Sequence, residues 1–161
     1  APGVTAILMS TASNSGIQNA SGSSIVGYNT TAGGSRYLRV NPASGSGPAG
    51  VRFNFSEPIY AFGAYITGLG TANGNLTAQY IDGSLVVLPV VGQDDGGAQF
   101  FGFTDTGVPM TTVFLRFQGS ASDVFSVDDL RFVPIPEPST WLLAALGMAI
   151  LAASRLRRKA A

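Results

Sequence analysis

Polar and apolar residues alternate along most of the chain in short segments that glycine-rich turns separate. Alternation with a period of two is typical of half-buried β-strands, and continuous apolar runs are typical of strands buried on both faces. The predicted strands cover residues 37–40, 51–55, 59–67, 76–81, 85–91, 99–103, 113–117 and 125–132. Asp82-Gly83 has the best signal for a tight hairpin. Short strands at spacings of roughly ten residues predict an all-β, antiparallel β-sandwich.

The β-domain is predicted to cover residues 1–133. Residues 1–35 are poorer in large apolar side chains and rich in Ser, Asn and Gly, so we expect edge strands and loops there. The proline-rich segment after Val133 marks the end of the domain, because proline cannot donate to a strand ladder.

The last predicted strand breaks its own alternation. Phe125 and Val127 occupy odd positions, whereas Leu130 and Phe132 occupy even ones, so a regular pleat would place the two pairs on opposite faces. One extra residue between the pairs would return all four side chains to the core. We therefore predict a β-bulge at 128–129, which also turns a carboxylate toward neighbouring loops, where it can accept hydrogen bonds from backbone amides.

The end of the chain has a different composition from the rest. Residues 139–154 contain no charged side chain. As a helix they span roughly 24 Å, against roughly 30 Å for the hydrocarbon core of a bilayer, and snorkelling arginines with local thinning can make up the difference. We therefore predict a single C-terminal hydrophobic helix at 139–154 that crosses a membrane. Its anchoring side chains are Trp141, Leu142, Leu143, Leu146, Ile150 and Leu151.

The basic residues that follow predict the orientation of this helix. They are Arg155, Arg157, Arg158 and Lys159. Because positive flanks stay inside, residues 155–161 are predicted to form a cytoplasmic tail, with the β-domain on the far side of the membrane. The alternative is an ordinary buried helix of the globular domain. The position after a proline-rich break and the lack of a polar face argue against that alternative.

Residues 134–138 form a proline-rich linker between the β-domain and the apolar segment. Pro136 and Pro138 flank Glu137 and bias its backbone toward an extended form. An extended, pre-ordered peptide just outside the bilayer loses little entropy when it enters an enzyme groove. In this interpretation Glu137 is a specificity determinant of a substrate peptide and not part of an active site.

Composition narrows the function classes further. The chain has no Cys and no His, which removes disulfides, thiolate nucleophiles, imidazole bases and the usual zinc ligands. Residues 1–133 carry five arginines, eight acidic residues and no lysine, which argues against nucleic acid as a partner because phosphate contacts need a basic face. We expect no enzymatic activity and no catalytic residue.

Two pairs of adjacent carboxylates remain as candidates for chemistry, Asp94 with Asp95 and Asp128 with Asp129. Neighbouring residues on a regular strand point to opposite faces, so neither pair can act there as a glycosidase dyad. Oxygen-rich loops suit calcium, and the alternative is solvated loops in which Asp serves turns and caps. No spacing matches a dedicated calcium loop, so no metal site or cofactor is predicted beyond these four candidate ligands.

Five tyrosines are candidates for stacking on sugar rings: Tyr28, Tyr37, Tyr60, Tyr65 and Tyr80. Aromatic residues are also common at half-buried strand positions, which gives each tyrosine a structural alternative. The tyrosines therefore make a carbohydrate-binding module one of two functions to consider.

The tail resembles a known family signal. Pro136-Glu137-Pro138-Ser139-Thr140-Trp141, an apolar segment and an Arg-rich terminus follow one another as in the PEP-CTERM sorting signal of exported proteins of Gram-negative bacteria. The resemblance implies that an exosortase recognises the Pro-Glu-Pro motif of a membrane-anchored precursor and removes the tail. The β-domain would then reach the cell surface or the extracellular matrix.

The β-domain is similar to the non-catalytic β-sandwich regions that precede this signal, through Phe62-Gly63-Ala64-Tyr65-Ile66, 100–103 and 125–132. That resemblance implies a jelly-roll-like fold. Together the two resemblances imply a structural or adhesive role in exopolysaccharide or biofilm, with exosortase, membrane and extracellular polysaccharide as partners. A carbohydrate-binding module is the alternative.

Overall fold

The computed structural model describes residues 3–9, 11–19, 26–43, 49–70, 76–79, 85–88, 97–105, 107–117 and 123–134, together with Met148. Its strands are β1 (Val4–Met9), β2 (Gly16–Asn19), β3 (Arg36–Val40), β4 (Gly50–Thr67), β5 (Leu76–Gln79), β6 (Leu85–Val87), β7 (Ala98–Thr104), β8 (Met110–Phe117) and β9 (Phe125–Pro134). Every pairing between these strands is antiparallel. The prediction of an all-β antiparallel fold is confirmed.

The long strand β4 folds back on itself. Phe53 and Phe62 lie on it nine residues apart, which is about 30 Å in an extended strand, yet their ring centroids are separated by 5.6 Å. The bend follows Asn54, since four residues of β4 (55–58) stand opposite only one residue of β8 before pairing resumes at Ile59. The two segments predicted at 51–55 and 59–67 are therefore one continuous strand, bent and not interrupted by a turn.

The bend places the two halves of β4 in different layers. The first half pairs with β1 and β8, and β5 and β6 continue this first layer. The second half pairs with β7 and β9, and β3 and β2 continue the second layer. A strand that changes sheets at a bend makes the corner of a β-sandwich. The jelly-roll-like order of the connections stays a prediction.

The hydrophobic core lies between the two layers. Alternate residues of both halves of β4 face it, and β8, β9 and β3 supply most of the remainder. Its buried members are Val40, Val51, Phe53, Phe55, Ile59, Phe62, Ala64, Ile66, Leu69, Ala78, Leu88, Phe101, Met110, Val113, Leu115, Phe125 and Val127. Phe55 and Phe132, from opposite layers, have ring centroids 5.0 Å apart. Burial of these apolar surfaces is the main favourable term in folding.

The β-bulge predicted at 128–129 is confirmed. Gly63 pairs with Arg131 and Tyr65 with Asp128, so two residues of β9 stand opposite Ala64 alone. Asp129 has a φ of 51°, the left-handed conformation that one class of bulge requires. Phe125 and Val127 are buried, and Leu130 and Phe132 are half-buried against the core.

Three further sequence predictions concern residues 1–35, the hairpin at Asp82-Gly83 and the helix at 139–154. Within residues 1–35, β1 and β2 are edge strands of the two layers, as expected. The hairpin prediction holds for the antiparallel pair of β5 and β6, whereas Asp82-Gly83 itself lies outside the described residues. The predicted helix at 139–154 also lies outside them, apart from Met148. Within the described part of the chain, no helix is long and apolar enough to cross a membrane.

Candidate functional site

The sorting residues adjoin the last strand of the second layer. Pro134, the final residue of β9, pairs with Ile59 at the bend of β4. The last strand therefore extends one residue beyond the predicted boundary at Val133 and includes the first proline of the linker. Pro136, Glu137 and Pro138, the anchoring side chains and the basic tail lie outside the described residues.

Asp128, from the second pair of candidate carboxylates, forms structural hydrogen bonds with a loop. Asp128 Oδ2 accepts hydrogen bonds from the backbone N–H of Thr30 at 2.6 Å and of Thr31 at 3.2 Å. The hydroxyls of both threonines donate to the same oxygen, at 2.9 and 3.4 Å. A carboxylate of this pair does accept hydrogen bonds from loop amides, as predicted, but the regular pairing of Asp128 with Tyr65 directs it there and not the bulge, which begins after Asp128.

Asp129 forms a different contact from its neighbour. Its Oδ2 lies 3.3 Å from a terminal nitrogen of Arg131, in an ion pair on the protein surface. Across the described ranges, no three carboxylates lie close enough together to hold a metal ion. Asp94 and Asp95 lie outside those ranges.

The segment that Asp128 holds covers part of the outer face of the second layer. We call residues 26–31 the covering segment. Ser126 donates its hydroxyl to the carbonyl of Val26 at 2.8 Å, and the Tyr28 N–H donates to Thr67 Oγ1 at 3.1 Å. Ser126 and Thr67 are fully buried in consequence. Gly27 has a φ of 106°, and a Cβ there would overlap the side chain of Ser126, so glycine is required for this close approach.

None of the sugar-stacking candidates that the structure describes is an exposed tyrosine. Tyr37 is buried, Tyr28, Tyr60 and Tyr65 are half-buried, and Tyr80 lies outside the described residues. Tyr65 pairs with Phe100 on β7 and with Asp128 on β9, so one row of the outer face joins the three strands. The rings of Tyr65 and Phe100 meet edge to face at 5.2 Å between centroids.

Beside this row an open groove of about 590 Å³ crosses the outer face of the second layer. Gly63 pairs with Gly102 of β7 on one side and with Arg131 of β9 on the other. The two glycines form the floor of the groove. Phe62 and its partners Phe103 and Phe132 alternate with that row and pack toward the core. The groove therefore belongs to the solvent side of the sheet.

Phe100 forms one wall of the groove. Its side chain is 53% exposed, whereas phenylalanine is among the residue types most often fully buried. A Cβ on Gly63 would lie 2.7 Å from the tip of this ring, and one on Gly102 would lie 3.2 Å from its edge. The two glycines thus leave the space in which the ring rests against the sheet. An alanine at Gly63 would displace the ring.

Arg131 and Val133 lie along the other side of the groove. The Arg131 side chain is 71% exposed, and Val133 is 55% exposed. An exposed aromatic ring facing a guanidinium offers stacking to the apolar face of a ligand and hydrogen bonds to its oxygen atoms.

Phe100 and Arg131 were not predicted from the sequence as site residues. The available signal was the alternation within Phe100-Phe101-Gly102-Phe103. With Phe101 and Phe103 directed to the core, Phe100 has to point to the opposite face. Arg131 could not be placed beside it from the sequence, because β7 and β9 meet only through their common partner β4.

Comparison with solved structures finds similar chains at low identity. The cleaved adhesin domain of Lys-gingipain has a TM-score of 0.48 at 16% identity, over 81% of this chain and 88% of that one. A family 29 carbohydrate-binding module has a TM-score of 0.44 at 12% identity, over 85% and 99% of the two chains. A family 11 carbohydrate-binding module from a Clostridium thermocellum cellulosomal cellulase has a TM-score of 0.40 at 9% identity, over 86% and 90%.

No curated protein matches the chain in sequence. The family model described as the PEP-CTERM protein-sorting motif matches residues 134–159, which begin at the last residue of β9. The match contains the Pro-Glu-Pro sequence, the uncharged segment and the four cations in that order. It supports an exported protein that is processed by an exosortase. The chain therefore carries a PEP-CTERM protein-sorting motif at its C-terminal end.

Proposed function

We propose that the chain is a membrane-anchored precursor whose tail an exosortase removes, delivering the β-domain to the cell surface or the extracellular matrix. The sorting motif at residues 134–159 carries this proposal. The fold is compatible with it, because β9 ends at Pro134 and cleavage beyond that residue would leave every described strand pairing intact. The β-domain would lose no part of its core on release.

We further propose that the released domain has a structural or adhesive role in a polysaccharide matrix and acts there by binding and not by catalysis. The outer-face groove supports carbohydrate binding as the specific activity. Phe100 supplies an exposed ring and Arg131 supplies hydrogen-bond donors across a floor of glycine. The observation that carries the binding proposal is the exposure of Phe100, since a ring of that size is normally buried.

Mass spectrometry of the C-terminus tests the sorting proposal. The full chain should be expressed in a Gram-negative host with and without an exosortase. We expect a shorter form, ending within or near the linker at residues 134–138, only where the enzyme is present. Glu137→Ala should leave the precursor anchored and block the conversion, with Glu57→Ala, an exposed glutamate at the bend of β4, as the matched control. Conversion that proceeds equally in Glu137→Ala contradicts the proposal.

Affinity electrophoresis tests the groove. The full chain, in a detergent without a sugar headgroup, would run through gels containing xylan, galactomannan or dextran. We expect at least one polysaccharide to retard the protein and Phe100→Ala to abolish the retardation. Val108→Ala is the control, because Val108 is 52% exposed but lies outside the groove. No retardation in any gel, or retardation that Phe100→Ala leaves unchanged, would show that the groove does not bind these polysaccharides.

A further inference from the structure

The outer face of the first layer carries two arginines on neighbouring strands. Val51 and Phe53 of β4 face the core, as do Val113 and Leu115 of β8, so the residues between and after them face outward. Arg52 pairs with Phe114, and Arg116 pairs with Gly50. The register therefore places Arg52 and Arg116 diagonally across two adjacent strands, at a separation of roughly 7 Å between Cα atoms.

Neither guanidinium is neutralised by the part of the chain that the structure describes. The one ion pair among the described residues is that of Arg131 with Asp129, on the other layer. β1, β5, β6, β8 and residues 50–56 of β4 contain no Asp or Glu; Glu57 follows at the bend. The Nε atoms of Arg52 and Arg116 are buried and have no hydrogen-bond partner among the described residues. Two like charges so close together destabilise an isolated sheet face.

The side chains around the arginine pair are those that recognise a sugar acid. The Arg116 guanidinium carbon lies 5.8 Å from the centroid of the Phe114 ring, which holds that side chain along the strand. The Thr112 hydroxyl contacts Asn54 Oδ1 at 3.2 Å on the same face. Hydroxyl and amide groups therefore flank the two arginines on this face.

We propose that Arg52 and Arg116 bind carboxylate groups of an acidic polysaccharide, that is, a polymer containing uronic acid residues. A guanidinium matches a carboxylate with two parallel hydrogen bonds, and the ligand would supply a negative charge that the described strands of this face do not carry near the two arginines. An extended nucleic acid is the less suitable polyanion, because residues 1–133 carry more acidic than basic side chains. This site lies on the layer opposite the Phe100 groove and is independent of it.

Isothermal titration of the full chain in a zwitterionic detergent tests the proposal. The probes are polygalacturonate and the same polymer with its carboxylates methyl-esterified. We expect polygalacturonate to bind, its affinity to fall with rising salt, and the ester to bind at least about tenfold more weakly. Vesicles containing phosphatidylglycerol provide a second anionic surface, and binding to them but not to polygalacturonate would overturn the proposal.

Substitutions test whether the binding of polygalacturonate depends on Arg52 and Arg116. The double variant Arg52→Gln with Arg116→Gln should lose at least about tenfold in affinity for polygalacturonate. Arg52→Lys with Arg116→Lys keeps both charges but not the forked geometry, and should lose affinity to a smaller extent. Arg39→Gln is the matched control, since Arg39 also has a buried Nε without a partner but lies on the second layer. Thermal unfolding of each variant identifies any loss of folding.

Several results of these titrations would contradict the proposal. Equal affinity of the double glutamine variant and the unaltered chain would overturn it, as would equal binding of the acid and the ester. If the glutamine variant does not fold, the lysine variant takes its place, and affinity unchanged in that variant would exclude forked recognition. Phe100→Ala should leave polygalacturonate binding unchanged, so that failure of the groove and failure of the arginine pair are separate results.

Discussion

Asp128 accepts a 2.6 Å hydrogen bond from the backbone N–H of Thr30, a residue 98 positions earlier in the chain. The contact exists because β9 is still in regular register with β4 at Asp128, which pairs with Tyr65, so the carboxylate points to the outer face where the covering segment lies, while Val127 beside it faces the core. Tyr65 lies between this contact and Phe100 in one row of the sheet. The contact therefore stabilises the face on which the candidate groove lies.

We expect Asp128→Asn to destabilise the β-domain by about 1–3 kcal/mol, because it weakens charge-assisted hydrogen bonds that one oxygen accepts from two amides and two hydroxyls. Denaturant titration of the free energy of unfolding measures the change. Asp129→Asn is the control. It removes a surface ion pair and keeps a residue that tolerates positive φ, so its effect should stay within about 0.5 kcal/mol. Equal losses in the two variants would contradict the role given to Asp128.

The backbone at Asp129 gives a second prediction. Asp129 is the one residue other than glycine that has positive φ in the described ranges. Asp129→Val should cost about 1–2 kcal/mol, because a β-branched side chain clashes with the backbone in this conformation. Asp129→Gly should be clearly more stable than Asp129→Val in the same denaturant titration. The reverse order would show that the bulge does not hold residue 129 at positive φ.

Gly27 gives a prediction about the covering segment. Gly27→Ala should cost about 2–4 kcal/mol, since it combines positive φ with overlap on Ser126 beneath the segment. Gly33→Ala measures the cost of positive φ alone, because Gly33 has a φ of 75° and open space around it. This substitution should cost about 1 kcal/mol. Thermal unfolding of both variants compares the two costs. Similar midpoints would mean that the covering segment does not pack closely on Ser126.

The apolar segment at 139–154 gives a prediction about the membrane. The full chain should sediment with membranes, and a chain that ends at Val133 should remain in the supernatant. The physical reason is the transfer of an uncharged segment into hydrocarbon, with the cations held at the cytoplasmic surface. Ultracentrifugation followed by immunoblotting measures the partition. Membrane association that survives the truncation would contradict the anchor assignment.

The sequence by itself determined the class of fold and the sorting motif, because both depend on local order along the chain. Alternation of polar and apolar residues identifies the face of a strand that is buried, and a sorting motif is a linear arrangement of motif, apolar segment and cations. Even the bulge in β9 could be predicted, since two apolar pairs of opposite parity have to reach one core.

Only the tertiary structure decided which strands are neighbours. Alternation does not say that Phe53 will meet Phe62 across a bend in one strand, or that Arg52 and Arg116 will lie on one face of two adjacent strands. Phe100 and Arg131 flank one groove because β7 and β9 pair with opposite edges of β4. Such pairings depend on two terms, the free energy gained by burying a common core and the entropy lost when long loops close. Both terms involve residues far apart in the chain, so a local segment of sequence does not determine them.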